Sequence, residues 1–97
     1  MKAMLSSPMR GKTSEEIEME RKQMIELLDD YEVMDTIVED YENKTDLECF
    51  AESIKFMSQS DVLVMGYGWE NARGCILEHN IALAYDLPII YLAEVQK

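Results

Sequence analysis

The chain is poor in cations: 9 Lys and Arg stand against 20 Asp and Glu in 97 residues, for a formal net charge of -11. A surface of that sign repels phosphate backbones and anionic lipid, so general binding to DNA, RNA or anionic membranes is excluded as a function class, although one small basic pocket is not. Cysteine and histidine are also scarce. Cys49 and Cys75 lack metal-ligand spacing, and the single His79 offers them no obvious partner. The expectation is two half-buried thiols in a reducing compartment, with no metal and no cofactor. No apolar run reaches membrane-spanning length. Lys2 and the brief apolar stretch before Ser6 do not make a secretory signal, so a soluble cytoplasmic protein without membrane contact is expected. The chain has the length of one small domain, short of the size at which a deep pocket is comfortably enclosed. A cleft at its edge would borrow a wall from a second subunit, and a homodimer or higher homo-oligomer is the expected state.

Residues 61 to 92 organise what is there. Asp61 to Met65 is a short apolar run suited to a strand covered on both faces, and Gly66 and Gly68 break it. From Arg73 the spacing becomes helical, with Gly74, Leu77, Glu78, Ile81, Ala82 and Tyr85 on one face. Asp86 and Pro88 end that helix before the apolar run Ile89 to Leu92. Upstream, Lys2 to Ser7 reads as a first strand. Ser14 is a plausible N-cap for a helix to about Leu28, with Ile17, Met24, Leu27 and Leu28 on its apolar side. Tyr31 to Val38 alternates as a second strand, residues 39 to 46 form an acidic loop, and Leu47 to Ser58 is a helix with Leu47, Phe50, Ala51, Ile54 and Met57 inward.

The order β, α, β, α, β, α, β predicts a single α/β domain over residues 1 to 97. It is a small flavodoxin-like or Rossmann-like three-layer sandwich with a parallel sheet of about four strands in the order 2-1-3-4. In such sheets a ligand binds outside the carboxyl ends of the strands, near the reversal of strand order. The loop Pro8 to Thr13 and the loop Gly66 to Arg73 therefore face each other.

Both loops carry unusual chemistry. In PMRGKT, Arg10 and Lys12 are two cations beside a glycine and a helix start, which suits a phosphate or carboxylate; a surface loop whose cations balance nearby glutamates fits equally well. The stretch lacks the glycine run of a P-loop. In GYGWENARGCILE, Tyr67 and Trp69 offer aromatic faces on which a nucleobase can stack, or a cap for the sheet edge or a subunit interface. Glu70 and Glu78 are two carboxylates available to one cleft. Glu78 is the anomaly, a charge on the helix face that should meet the sheet, and burying it is costly unless it is used or paired. It is a candidate nucleophile or general base at a carbohydrate centre, or a buried glutamate paired with Arg10 or Arg73.

The segments SSPMRGKTSEEI and GWENARGCILEHNIA resemble the nucleoside 2-deoxyribosyltransferase-like superfamily, in particular short members from bacterial and phage genomes. The loop Ser7, Pro8, Met9, Arg10, Gly11 is also similar to that of deoxynucleoside 5'-monophosphate N-glycosidases in the same superfamily. The match covers both ends of the chain and little of its middle. The resemblance implies a nucleoside or nucleotide as partner. It reads Asp61, Gly74 and Glu78 as family positions, with Glu78 attacking the anomeric carbon of a deoxyribosyl group and Arg10, with Lys12, holding a 5'-phosphate. Family members carry an acid just before the glycine to handle the base, where this chain has Asn71, Ala72 and Arg73, leaving Glu70 as a substitute. The expected activity is cleavage or transfer of the N-glycosidic bond, the alternative a catalytically silent nucleotide-binding module used as a sensor or for sequestration.

Overall fold

The computed structural model describes residues 1–9, 11–34 and 43–95. Arg10, the second half of the expected second strand and the first half of the expected acidic loop lie outside the described residues. The elements are β1 (Lys2–Ser6), α1 (Ser14–Glu26), β2 (Glu32–Val33), α2 (Asp46–Ser58), β3 (Val62–Met65), a short 3-10 turn (Trp69–Asn71), α3 (Arg73–Ala84), β4 (Ile89–Tyr91) and α4 (Leu92–Val95). All four strands are parallel and lie in the order β2-β1-β3-β4, as the alternation of elements requires.

Strand alternation divides the core in two. Ala3, Leu5, Val62 and Val64 face Met24 and Leu28, from α1 and the turn after it, together with Leu92. Met4, Leu63 and Met65 face Met57 of α2 and Cys75 and Ala82 of α3. β3 is buried at every position, which is why its sequence is apolar without alternation. Ser6 is two residues beyond Met4, so it turns toward α2 and α3. It is the one polar side chain that β1 buries.

Local chemistry sets the helix ends. Thr13, not Ser14, caps α1, because Thr13 and Glu16 form a reciprocal capping box that Ser14, with Ile17 three residues on, has no partner to complete. Thr45 and Glu48 cap α2 in the same way, so that helix begins at Asp46. α3 ends when Asp86 takes a left-handed backbone (φ 57°). The Leu87 N–H then bonds the Ala82 carbonyl at 2.9 Å and the Asp86 N–H bonds that of Leu83 at 3.4 Å, a Schellman closure.

Several side chains assigned inward lie outward. Leu27, Leu47, Leu77 and Tyr85 are 40%, 80%, 44% and 82% exposed, and Ala51 and Gly74 are exposed as well. A sheet with two-residue and three-residue edge strands covers only a narrow stripe of each helix, and on α3 that stripe is Cys75, Glu78 and Ala82.

The carboxyl ends of β1 and β3 approach closely. The Gly66 N–H donates to the Ser6 carbonyl at 2.7 Å, and a Cβ on Gly66 would lie 2.8 Å from Ser7 Cβ and 3.2 Å from the Ser6 oxygen. Backbone cannot yield that distance cheaply. Gly66→Ala is therefore expected to destabilise the fold by about 1–3 kcal/mol in urea unfolding, through overpacking at the strand ends.

Candidate functional site

The two loops that the topology brings together do meet. A Cβ on Gly68, whose φ is 78°, would lie 3.8 Å from Pro8 Cγ. Lys12 and Tyr67 line a common concavity of about 430 Å³. A second concavity, of about 370 Å³, lies at the ends of β3 and β4 and is lined by Met65, Gly66, Tyr67, Trp69, Glu70, Tyr91 and Glu94, among others.

Glu78 is 7% exposed and sits in the second turn of α3. Ser6 Oγ donates to its Oε1 at 2.6 Å, joining the last residue of β1 to the helix across the core. Burial pushes the Glu78 carboxyl above its ordinary value of 4.5, while the hydroxyls of Ser6 and Ser53 pull it back by bonding the charged form. Cys75, one turn earlier, is buried beside them. Its thiol is pushed up by burial and by the neighbouring Glu78 charge, with Ser6 opposing. A buried, un-ionised thiol is a poor nucleophile, so the carboxylate is the reactive candidate of this group.

Among the described residues no cation pairs with Glu78. Arg73 instead meets Asp46 at 3.2 Å on the surface, linking the starts of α3 and α2, so the alternative in which Arg73 pairs with Glu78 is not found. Lys12 Nζ bonds Glu20 Oε2 at 2.6 Å, which is the balanced-cation arrangement for that residue. Of the remaining first-loop residues, Ser7 and Pro8 are half-buried, Met9 is exposed, and Gly11 needs its glycine for a φ of 80°.

In the second loop Glu70 and Asn71 are exposed, and Glu70 lines the smaller concavity. Trp69 is half-buried and stacks on His79, ring centroids 4.4 Å apart. His79 Nε2 lies 2.6 Å from the Tyr91 hydroxyl, so β4 and α3 fix the indole from behind. Gly74 has neither a positive φ nor any neighbour within 4 Å of where a Cβ would stand. It is exposed at the start of α3, and an alanine there would meet only open space. Asp61 is at the opposite end of the sheet, where its Oδ2 accepts the Lys2 N–H at 2.7 Å and ties β1 to β3.

Sequence reasoning missed Ser6, Ser53, His79 and Tyr91. Ser6 alone left a trace, as the polar residue closing an otherwise apolar strand. Among the described residues no group of three His, Cys, Asp or Glu side chains is placed to hold a metal ion, and no helix is long and apolar enough to cross a membrane. Comparison with family models, with curated proteins and with solved structures gives no match for this chain.

A raised carboxyl gives a signed stability prediction. Between 4.5 and the folded value, native Glu78 keeps a proton that the unfolded chain has released. Stability attributable to this group therefore falls as pH rises through that window, and above it the whole penalty stands. Glu78→Gln keeps an oxygen for Ser6 and removes the charge. Its melting temperature at neutral pH is expected to exceed that of the wild type, by the equivalent of about 0.5–2 kcal/mol, and the difference should shrink as pH falls toward 4.5.

Proposed function

We propose that this chain cleaves or transfers the N-glycosidic bond of 2'-deoxynucleosides or their 5'-monophosphates, with Glu78 as nucleophile. The observation that carries the reading is a desolvated carboxylate with no described cationic partner. It is fixed by a serine hydroxyl at the carboxyl edge of a parallel sheet. Structural needs alone do not favour a charge there.

In the first step a Glu78 oxygen attacks C1' of the sugar as the C1'–N bond breaks. The bonding electrons leave with the base, which takes up a proton. Water then attacks C1' of the glycosyl ester, releasing the sugar and returning the carboxylate; a second base in place of water gives transfer. Ser6 holds Oε1, and the charge on the carboxylate stabilises the oxocarbenium-like transition state. The smaller concavity suits the base, with Tyr67 and Trp69 as aromatic walls. Glu70, on its rim, is the acid available to protonate the leaving group in the absence of an acid at Asn71 to Arg73. Ser7, Pro8, Met9, Gly11 and Lys12 form the side toward the sugar or its 5'-phosphate, with Arg10 assigned there by the resemblance alone. Lys12 must then exchange Glu20 for the ligand.

A second reading, a nucleotide-binding module without turnover, is favoured by one observation: Glu78 lines neither concavity. Chromatography of free base after incubation with each common deoxynucleoside and its 5'-monophosphate separates the two. The expected result is base release that is abolished in Glu78→Gln, the variant remaining folded. Melting shifts with nucleotide but no base released would select the binding module, and neither shift nor release would remove both readings.

A further inference from the structure

The two concavities differ in charge. The smaller one has Tyr67, Trp69 and Tyr91 as aromatic walls and the exposed carboxylates Glu70 and Glu94 on its rim, and among the described residues no Lys, Arg or His lines it. The larger one has the Lys12–Glu20 pair instead, and Tyr67 lines both. The aromatic walls of the smaller one are held from behind: His79 stacks on the Trp69 indole at 4.4 Å, its Nε2 lies 2.6 Å from the Tyr91 hydroxyl, and the Trp69 and Tyr91 rings are 5.9 Å apart. Its volume, about 370 Å³, falls within the roughly 300–1,000 Å³ of clefts that take small organic ligands. Aromatic faces attract positive charge and carboxylates do so more strongly, whereas an anion finds no partner among the described residues of this lining.

We infer that this concavity takes a flat ring bearing positive charge, an N-alkylated nucleobase in preference to an ordinary one. That the ring is a nucleobase rests on the glycosidic reading; that it is cationic rests on the walls. A separate observation agrees. An ordinary base leaves its sugar as an anion unless it gains a proton, and Asn71, Ala72 and Arg73 supply no carboxylic acid to give one. A ring-alkylated base, such as 7-methylguanine attached through N9, is already positive before the bond breaks. When Glu78 attacks C1', the electrons of the C1'–N9 bond neutralise the ring, and the base departs uncharged without any proton transfer. Water then opens the glycosyl ester, its proton passing to solvent as the carboxylate is restored. For such a substrate Glu70 is a counter-charge to the ring instead of an acid, and Lys12, in the other concavity, is left for the 5'-phosphate.

Trp69 is the only tryptophan in the chain, so quenching of its fluorescence reports a ring stacked in this concavity. The probes are 7-methyl-2'-deoxyguanosine 5'-monophosphate, in mildly acidic buffer where its ring is cationic, and its neutral isostere with carbon in place of N7. Both are titrated into the wild type and into Glu78→Gln, which separates binding from turnover, and free base is followed in parallel against a protein-free control. The expected result is binding of the cation at least about tenfold tighter than of the isostere, weakening with added salt. That preference should fall to about threefold or less when Glu70→Gln and Glu94→Gln are combined, both at exposed positions, with melting curves verifying that each variant folds. A preference for the cation without Glu78-dependent release of base supports this inference and removes the catalytic reading. Release from ordinary deoxynucleotides with no preference for the cation overturns this inference and leaves that reading intact. Equal binding of the two probes, binding of neither, or a preference that the double variant keeps in full overturns it as well.

Discussion

The hydrogen bond from Ser6 to Glu78 is the constraint on which the rest of the site depends. It spans 72 positions of sequence and joins the central strand to the helix that follows its neighbour. To make it, β1 must end in a polar residue on the face of α2 and α3, and the second turn of α3 must sit over that end. Gly66 must also let β1 and β3 close to backbone contact, since any larger residue would push Ser7 away. A carboxylate in this position is disfavoured by burial, and two serine hydroxyls only partly offset it. The fold thus carries a cost at the place where chemistry would use it.

Much of the architecture was legible because it depends on local pattern. The apolar runs of β1 and β3, the glycine break at Gly66 and Gly68, and the stop at Asp86 and Pro88 are short-range signals. Regular alternation then limits the topology to few solutions, and the strand order found is the one that alternation favours. Pattern was weaker on burial. Leu47, Leu77 and Tyr85 fall on plausible inner faces, but a narrow sheet has room for one thin stripe per helix, and periodicity does not say where its centre lies. The caps at Thr13 and Thr45 are written in the sequence as Thr-x-x-Glu, one residue before the Ser14 cap expected for α1 and two before the Leu47 start expected for α2.

The site was legible in outline and not in its contacts. Glu78 stood out because a charge interrupted an apolar face, and the meeting of the two loops followed from topology. The partners of those residues did not follow. Ser6 with Glu78, His79 between Trp69 and Tyr91, and Lys12 with Glu20 are pairings that only the folded backbone selects. The indole is a case in point: read as a free platform, it has one face already stacked on an imidazole, so the walls of the concavity are more fixed than an isolated loop aromatic would suggest.

The central claim is that Glu78 is a carboxylate held back from ionising by burial and kept usable by Ser6. Titration of its side-chain carbon by NMR tests that directly, in the wild type and in Ser6→Ala. The expected result is a midpoint above the ordinary glutamate value of 4.5 in the wild type, and a further rise in Ser6→Ala as the bond to the charged form is lost. A midpoint at the ordinary value, unmoved by the substitution, would contradict the account.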